Sequence, residues 1–163
     1  ISAARIAAGA DREVLVAVGG LSKVAAAQGT GIAAATISSV NWNISTFDKS
    51  AGETLSVTVN YNEAVTVAVS NPTIVVTNGN EGSGSGRGPY TLTYASGTGT
   101  NRLTFTLVIA AANAATNADD VLVIGAQNIT LASSSTIVDD AGNAQVAISA
   151  AHGTAAGTIL VVA

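Results

Sequence analysis

Residues 47–145 alternate between apolar and polar side chains with a period of two. The apolar members of two such runs are Leu55, Val57, Val59 and Tyr61, and Leu103, Phe105, Leu107 and Ile109. Alternation of this kind places apolar groups on one face of an extended strand and hydroxyl groups on the other. Because it recurs between short clusters of Gly, Asn, Asp and Ser, it predicts an all-β fold, an antiparallel β-sandwich.

The same pattern gives approximate strand positions. The predicted strands are Ile37–Ile44, Glu53–Asn62, Val65–Val69, Thr73–Thr77, Tyr90–Tyr94, Arg102–Ile109, Val121–Ile124, Ile129–Ala132, Gln145–Ser149 and Thr158–Val162. Composition changes near both ends of this region. We therefore divide the chain into an N-terminal arm (1–36), the sandwich (37–148) and a C-terminal tail with a terminal strand (149–163).

The two ends carry apolar β-prone runs. In the arm these residues are Val14, Leu15, Val16 and Val18, and at the C-terminus they are Ile159, Leu160, Val161 and Val162. The arm is interpreted either as a partly ordered tail or as a segment that folds against a neighbouring subunit. The C-terminal run carries no charge to protect an exposed edge, so it either completes the sandwich or adds to a neighbour's sheet. Both runs are predicted assembly contacts.

Composition excludes several classes of function. Charged residues make up 10% of the chain, against about 25% in ordinary domains. The formal net charge of −4 disfavours nucleic-acid binding, which needs a basic surface. With no Cys and a single His, neither a disulfide framework nor a structural zinc site is expected. No apolar stretch approaches the roughly 18 residues of a membrane span.

The acidic groupings are candidate calcium ligands. They are Asp119 with Asp120 and Asp139 with Asp140, and neither pair has the spacing of an EF-hand. The alternative is that these residues cap turns, which Asp favours because its side chain accepts local N–H groups. His152 lies in an Ala- and Gly-rich tail without a nucleophile or carboxylate at triad-like spacing. We therefore expect no enzymatic activity and no required cofactor.

Several motifs resemble a bacterial Ig-like repeat family found in large surface adhesins and cadherin-like proteins. The stretches that carry the resemblance are 51–59, 61–67, Asn71-Pro72-Thr73-Ile74-Val75-Val76, the hairpin Tyr94-Ala95-Ser96-Gly97-Thr98-Gly99-Thr100 with Leu103 and Phe105, and the turn Ile137-Val138-Asp139-Asp140-Ala141-Gly142-Asn143. They span about 100 residues in the family's order. The resemblance implies an Ig-like sandwich that serves as a spacer, adhesive or decorative module.

A single Ig-like copy with a terminal arm is similar to accessory proteins that decorate phage capsids or tails. The expected function is therefore that of a non-enzymatic structural protein of a virion, a capsid or tail decoration subunit. Its partners would be copies of itself or other structural proteins. One alternative is a secreted filament or surface-adhesin subunit assembled by strand exchange, outside the cell or on its surface. Another is a glycan-binding module.

Overall fold

The computed structural model describes residues 34–69, 71–80, 88–110, 120–132 and 134–162. The β-prone run of the arm, with Val14, Leu15, Val16 and Val18, lies outside these residues, as do Asp119 and nearly all of the predicted arm. The described residues form nine strands and one helix. The elements are β1 (Ile37–Trp42), β2 (Thr46–Asp48), β3 (Gly52–Ala68), β4 (Thr73–Asn80), β5 (Tyr90–Ser96), β6 (Thr100–Ala110), β7 (Asp120–Val123), β8 (Thr136–Asp139), α1 (Ala150–Ala156) and β9 (Thr158–Val162).

The strands form one large, curled, mixed sheet, which confirms the all-β prediction. Hydrogen bonding connects them in the order β1-β3-β6-β5-β4-β7-β9-β2, and β8 pairs with β3 beside this path. Neighbouring strands are antiparallel with one exception in the described part of the chain: β2 runs parallel to β9. The predicted antiparallel arrangement therefore holds except where β2 meets the C-terminal strand.

The core consists of the apolar side of the predicted alternation. In β3, Leu55, Val57 and Val59 are fully buried, and in β6 Leu103 and Phe105 are fully buried. Each such side chain contributes about 1.5–3 kcal/mol of hydrophobic stabilisation relative to an exposed position. The intervening Ser and Thr residues are left on the outer side of the sheet.

β3 combines two predicted strands in one element of 17 residues. Its first part pairs with β6 from Gly52 to Asn60, and the register then shifts before Val65 pairs with Thr100. On its other edge β3 pairs first with β1 and then, from Val65, with β8. The polar residues that predicted a break are therefore accommodated as an irregularity within a continuous strand.

β4 pairs with different strands along its two halves. Thr73–Val76 pair with β5, and Thr77–Asn80 pair with β7. On the edge of β4 away from β5, the side-chain amide of Gln127 replaces a neighbouring strand. Its Nε2 donates to the Val75 carbonyl (2.7 Å), and its Oε1 accepts from the Val75 N–H (2.6 Å).

The C-terminal strand completes the sheet within the same chain. β9 pairs with β7 on one edge and with β2 on the other. Ahead of it, α1 occupies the predicted Ala- and Gly-rich tail, and Ser149 caps it by accepting the His152 N–H. Gly153 allows this helix to approach the chain closely, because a Cβ there would overlap the Ile124 carbonyl oxygen.

Four short elements differ from the prediction. Ile129–Ala132 and Gln145–Ser149 are not strands: each contributes a single bridge, Thr130 to Thr73 and Ile148 to Gln127. Apolar and polar residues do alternate in both segments, but neither segment pairs with another strand over more than one residue. Conversely, β2 and β8 are strands of three and four residues, too short for a periodic pattern to reveal.

Candidate binding face

The outer side of β1, β3 and β6 presents a polar surface without negative charge, which extends along β6 from Arg102 to Thr106 and ends at the exposed Val108. The strand register brings Ser39 opposite Asn60 and Asn41 opposite Thr58. On the other edge of β3, Asn60 lies opposite Arg102, and Thr58 lies opposite Thr104. We call this surface, with Asn43 beyond the end of β1, the polar face.

One hydrogen-bonded group of the polar face is centred on Asn60. Its Nδ2 donates to the Ser39 hydroxyl (3.0 Å) and to Asn41 Oδ1 (2.9 Å). The Ser39 hydroxyl in turn donates to Asn41 Oδ1 (3.0 Å). Three side chains from two strands therefore hold one another in fixed orientations.

A second group is centred on Asn43. Its Nδ2 donates to the Ser56 hydroxyl (2.8 Å) and to the Thr58 hydroxyl (3.0 Å). The Thr58 hydroxyl lies 3.1 Å from Asn43 Oδ1 and 3.5 Å from the Thr104 hydroxyl. This group continues the polar face from the end of β1 to β6.

A groove of about 440 Å³ lies between these groups and Arg102. Its lining includes Ser38, Asn41, Asn60, Asn101 and Arg102. The Arg102 side chain is exposed, and within the described residues its guanidinium has neither an ion-pair nor a hydrogen-bond partner. Chemically, the groove offers amide and hydroxyl groups in both donor and acceptor roles, together with one positive charge.

Comparison with protein-family models, with curated proteins and with solved structures found no match to this chain.

Asp120 is part of the folded core. It is fully buried at the start of β7, and its Oδ2 accepts a hydrogen bond of 3.0 Å from the side-chain amide of Asn78 on β4. Its predicted companion, Asp119, lies outside the described residues. The hydrogen bond between Asn78 and Asp120 thus joins β4 to β7 in addition to their main-chain pairing.

Asp139 organises the turn that follows β8. Oδ1 accepts the main-chain N–H groups of Ala141 (2.9 Å) and Asn143 (2.8 Å), and Oδ2 accepts Asn143 Nδ2 (2.9 Å). Burial acts to raise the pKa of Asp139, but these hydrogen bonds and one from the Ala35 N–H outweigh it and hold the pKa below its ordinary value. Asp140 is exposed next to it. Asp139 thus caps a turn by accepting local N–H groups, which was the alternative to calcium binding in the sequence analysis.

In the described part of the chain, no three His, Cys, Asp or Glu side chains lie close enough together to hold a metal ion. The structure also has, within those residues, no helix long and apolar enough to cross a membrane. His152 lies in α1, where its Nδ1 is 3.0 Å from the hydroxyl of the capping Ser149.

The C-terminal assembly candidates are divided between core and surface. Ile159 and Val161 are buried, whereas Leu160 is 47% exposed on the other face of β9. Val162 is half-buried at the end of the strand. Of the four residues, Leu160 is therefore the one that a neighbouring molecule can reach without opening the fold.

Sequence reasoning recognised a hydroxyl face on β3 and β6 but did not identify the polar face as a site. The missing signal was the alternation of Ser39, Asn41 and Asn43, which continues the polar pattern on a third strand. Arg102, a lone cation within a run of Thr and Leu, was a second available signal. Strand register then determines that these residues meet.

Proposed function

We propose that this chain is a non-enzymatic structural protein, a decoration subunit of a virion capsid or tail. The observation that supports this proposal is the pairing order of the sheet. Four strands pair as β1-β3-β6-β5, which corresponds to the A-B-E-D sheet of an Ig domain, and β4-β7-β9 corresponds to C-F-G. This correspondence supports the Ig-like resemblance, and the step from that fold to a decorating role is an analogy.

The proposal assigns docking to the N-terminal arm. The C-terminal strand already pairs on both edges within its own chain, so it contributes to the stability of the subunit. A variant that lacks the arm must still retain Ala35, because Ala35 is fully buried and its N–H donates to Asp139. Removal of residues 1–33 is therefore the appropriate truncation.

Negative-stain imaging and sedimentation of the full chain and of this truncated chain test the proposal. A decoration subunit is expected to give dispersed particles of small, defined mass in both samples. Fibres formed by the full chain and lost on truncation would overturn it in favour of a filament subunit. Immunogold labelling with an antibody against residues 34–162 then tests the location: label on virions is expected, and label confined to a cell surface contradicts the proposal.

The polar face favours glycan binding as a second candidate function. Saccharide hydroxyl groups both donate and accept hydrogen bonds, as do the amide and hydroxyl groups lining the groove. A glycan array probed with the full chain tests this candidate. Binding that disappears when the groove residues are substituted would support it.

A further inference from the structure

We propose that the groove of the polar face binds an acidic saccharide, with a sugar carboxylate on Arg102 and sugar hydroxyls on the side-chain amides beside it. This inference rests on the glycan-binding candidate and is independent of the virion proposal. It concerns residues on three adjacent strands, β1, β3 and β6.

The charge of the ligand follows from Arg102. An exposed guanidinium without a partner presents five N–H donors in a planar arrangement that matches a carboxylate. The only other cation among the described residues is Lys49, which lies in the turn between β2 and β3. The net charge of −4 disfavours long polyanions such as nucleic acid, which need many cations. A short ligand with few carboxylates, one of which lies on Arg102, fits this balance.

The hydroxyl character of the ligand follows from the hydrogen bonds already made. Both Nδ2 protons of Asn60 are used by Ser39 and Asn41, which leaves Asn60 Oδ1 as an acceptor. Asn41 Oδ1 accepts two hydrogen bonds, which leaves its Nδ2 protons as donors. Donors and acceptors are thus held next to each other, as neighbouring sugar hydroxyls require.

The scaffold favours recognition by a fixed surface. The amide and hydroxyl side chains of β1 and β3 in the groove hold one another in place, so they lose little conformational entropy when a ligand binds. The Arg102 side chain, which has no partner among the described residues, is ordered by the ligand. Among the described residues that line the groove there is no aromatic ring, so none of them stacks on a sugar ring. Recognition therefore depends on hydrogen bonds and on the carboxylate contact with Arg102.

Calorimetry with the full chain and oligogalacturonate tests the inference, and the methyl ester of the same oligosaccharide serves as an uncharged ligand. Arg102→Gln is expected to weaken oligogalacturonate binding roughly 10- to 100-fold, because a charge-assisted hydrogen bond is lost. Binding of the methyl ester should not change. Lys49→Gln is the matched control and should alter neither affinity by more than about twofold. A sulfated galactan oligosaccharide as a third ligand distinguishes a carboxylate preference from a general preference for anions.

Nuclear magnetic resonance of the wild-type chain gives a readout that does not depend on a variant. On addition of oligogalacturonate, the side-chain NH₂ signals of Asn41, Asn60 and Asn101 should shift before those of Asn78, which lies on β4. Binding without these shifts and without an effect of Arg102→Gln would place the glycan site elsewhere and overturn this inference alone. No binding by any saccharide would overturn both the inference and the glycan-binding candidate. Equal losses from Arg102→Gln and Lys49→Gln would indicate non-specific attraction and also contradict the site.

Discussion

At Gly97, in the turn between β5 and β6, the backbone has a φ of +115°, and a Cβ would overlap the carbonyl oxygen of Arg102. At Gly99, two residues on, φ is +76°, but a Cβ would meet no atom within 4 Å. The same turn is anchored by Tyr94, whose hydroxyl accepts the Thr98 N–H at 2.8 Å. One glycine of this hairpin is thus required by space and conformation, the other by conformation alone.

We predict that Gly97→Ala lowers the free energy of unfolding by roughly 3–5 kcal/mol, because both the steric overlap and the positive φ act against it. Gly99→Ala should lower it by only about 1–2 kcal/mol, the cost of a left-handed conformation for Ala. Urea denaturation of the two variants beside the wild type measures both values. Equal losses would contradict the steric argument.

The carboxylate of Asp139 gives the turn after β8 a dependence on pH. Its folded-state pKa lies below the ordinary value of 3.8, so the charged form is the one that folding favours. This stabilisation is complete above the unfolded-state pKa and is lost as the pH falls through the folded-state pKa.

Asp139→Asn should therefore destabilise the protein by about 2 kcal/mol at neutral pH, since a buried charge-assisted acceptor is lost. Its deficit relative to the wild type should shrink as the pH falls through the ordinary carboxyl pKa of 3.8 and then through the lower folded-state pKa. Thermal unfolding between neutral and acidic pH measures the difference. Hydrogen bonds from Ala51 and Ser50 also lower the pKa of Asp48, but this effect is common to both proteins. Asp140→Asn, at the exposed neighbouring position, should follow the wild type; a deficit for Asp139→Asn that does not depend on pH would disprove the assignment.

Among the elements, β4 depends on a side chain for part of its pairing. Gln127 satisfies both main-chain groups of Val75, and single bridges from Gln127 to Ile148 and from Thr130 to Thr73 hold this segment in place. The Gln127 contact satisfies the edge of β4 at Val75, next to the residues of β4 that pair with β7. A side-chain amide thus spans the irregular stretch between β7 and Thr130.

We expect Gln127→Ala to cost about 2–3 kcal/mol, because two main-chain groups of β4 lose their partners. Gln145→Ala is the matched control: Gln145 is also half-buried, and among the described residues its Oε1 has no hydrogen-bond partner. Denaturation gives the difference between the two variants, and hydrogen exchange at the Val75 amide localises it. Unchanged protection of that amide in Gln127→Ala would show that the Gln127 side chain does not protect the edge of β4 at Val75.

Element type was predictable where alternation was long, as in β3 and β6. The prediction of element type failed where an element depends on a contact with residues distant in sequence. Gly153 reads as a helix breaker, yet within α1 it permits the close approach to Ile124. Strand β8 precedes a turn motif and is too short to be periodic, and its strand character depends on pairing with the far end of β3.

For the molecule as a whole, β9 decides whether β2 is joined to the rest of the sheet, because it pairs with β7 on one edge and with β2 on the other. Ile159 and Val161 belong to the core, and the same strand provides the only partner of β2 among the described residues. The run of apolar, β-prone residues at the C-terminus predicted a strand. Its parallel pairing with β2 was not predictable, because β2 has only three residues.

Deletion of residues 158–163 should therefore prevent folding and not merely assembly. The measurement is the loss of near-ultraviolet circular dichroism and of dispersed amide signals. Leu160→Thr, which changes the exposed face of the same strand, should remain folded. A folded deletion variant that has lost only self-association would instead support an assembly role for the C-terminal strand.

The polar face is likewise a property of the whole molecule. Each of its residues reads as an ordinary solvent-facing strand position, and nothing in the local sequence shows that Ser39, Asn60 and Arg102 form one row. That row exists because β1 and β6 pair with opposite edges of β3. The residue types were predictable; their juxtaposition required the register.

The parallel pairing of β2 with β9 has a mechanical consequence. Tension that pulls β2 toward the N-terminus and β9 toward the C-terminus moves parallel strands in opposite directions along their axes. Their hydrogen bonds are then loaded together in shear and are not opened one after another like a zipper. In a subunit tethered through both ends, tension would first pull β1 away from β3, and this pair of strands would then resist further extension.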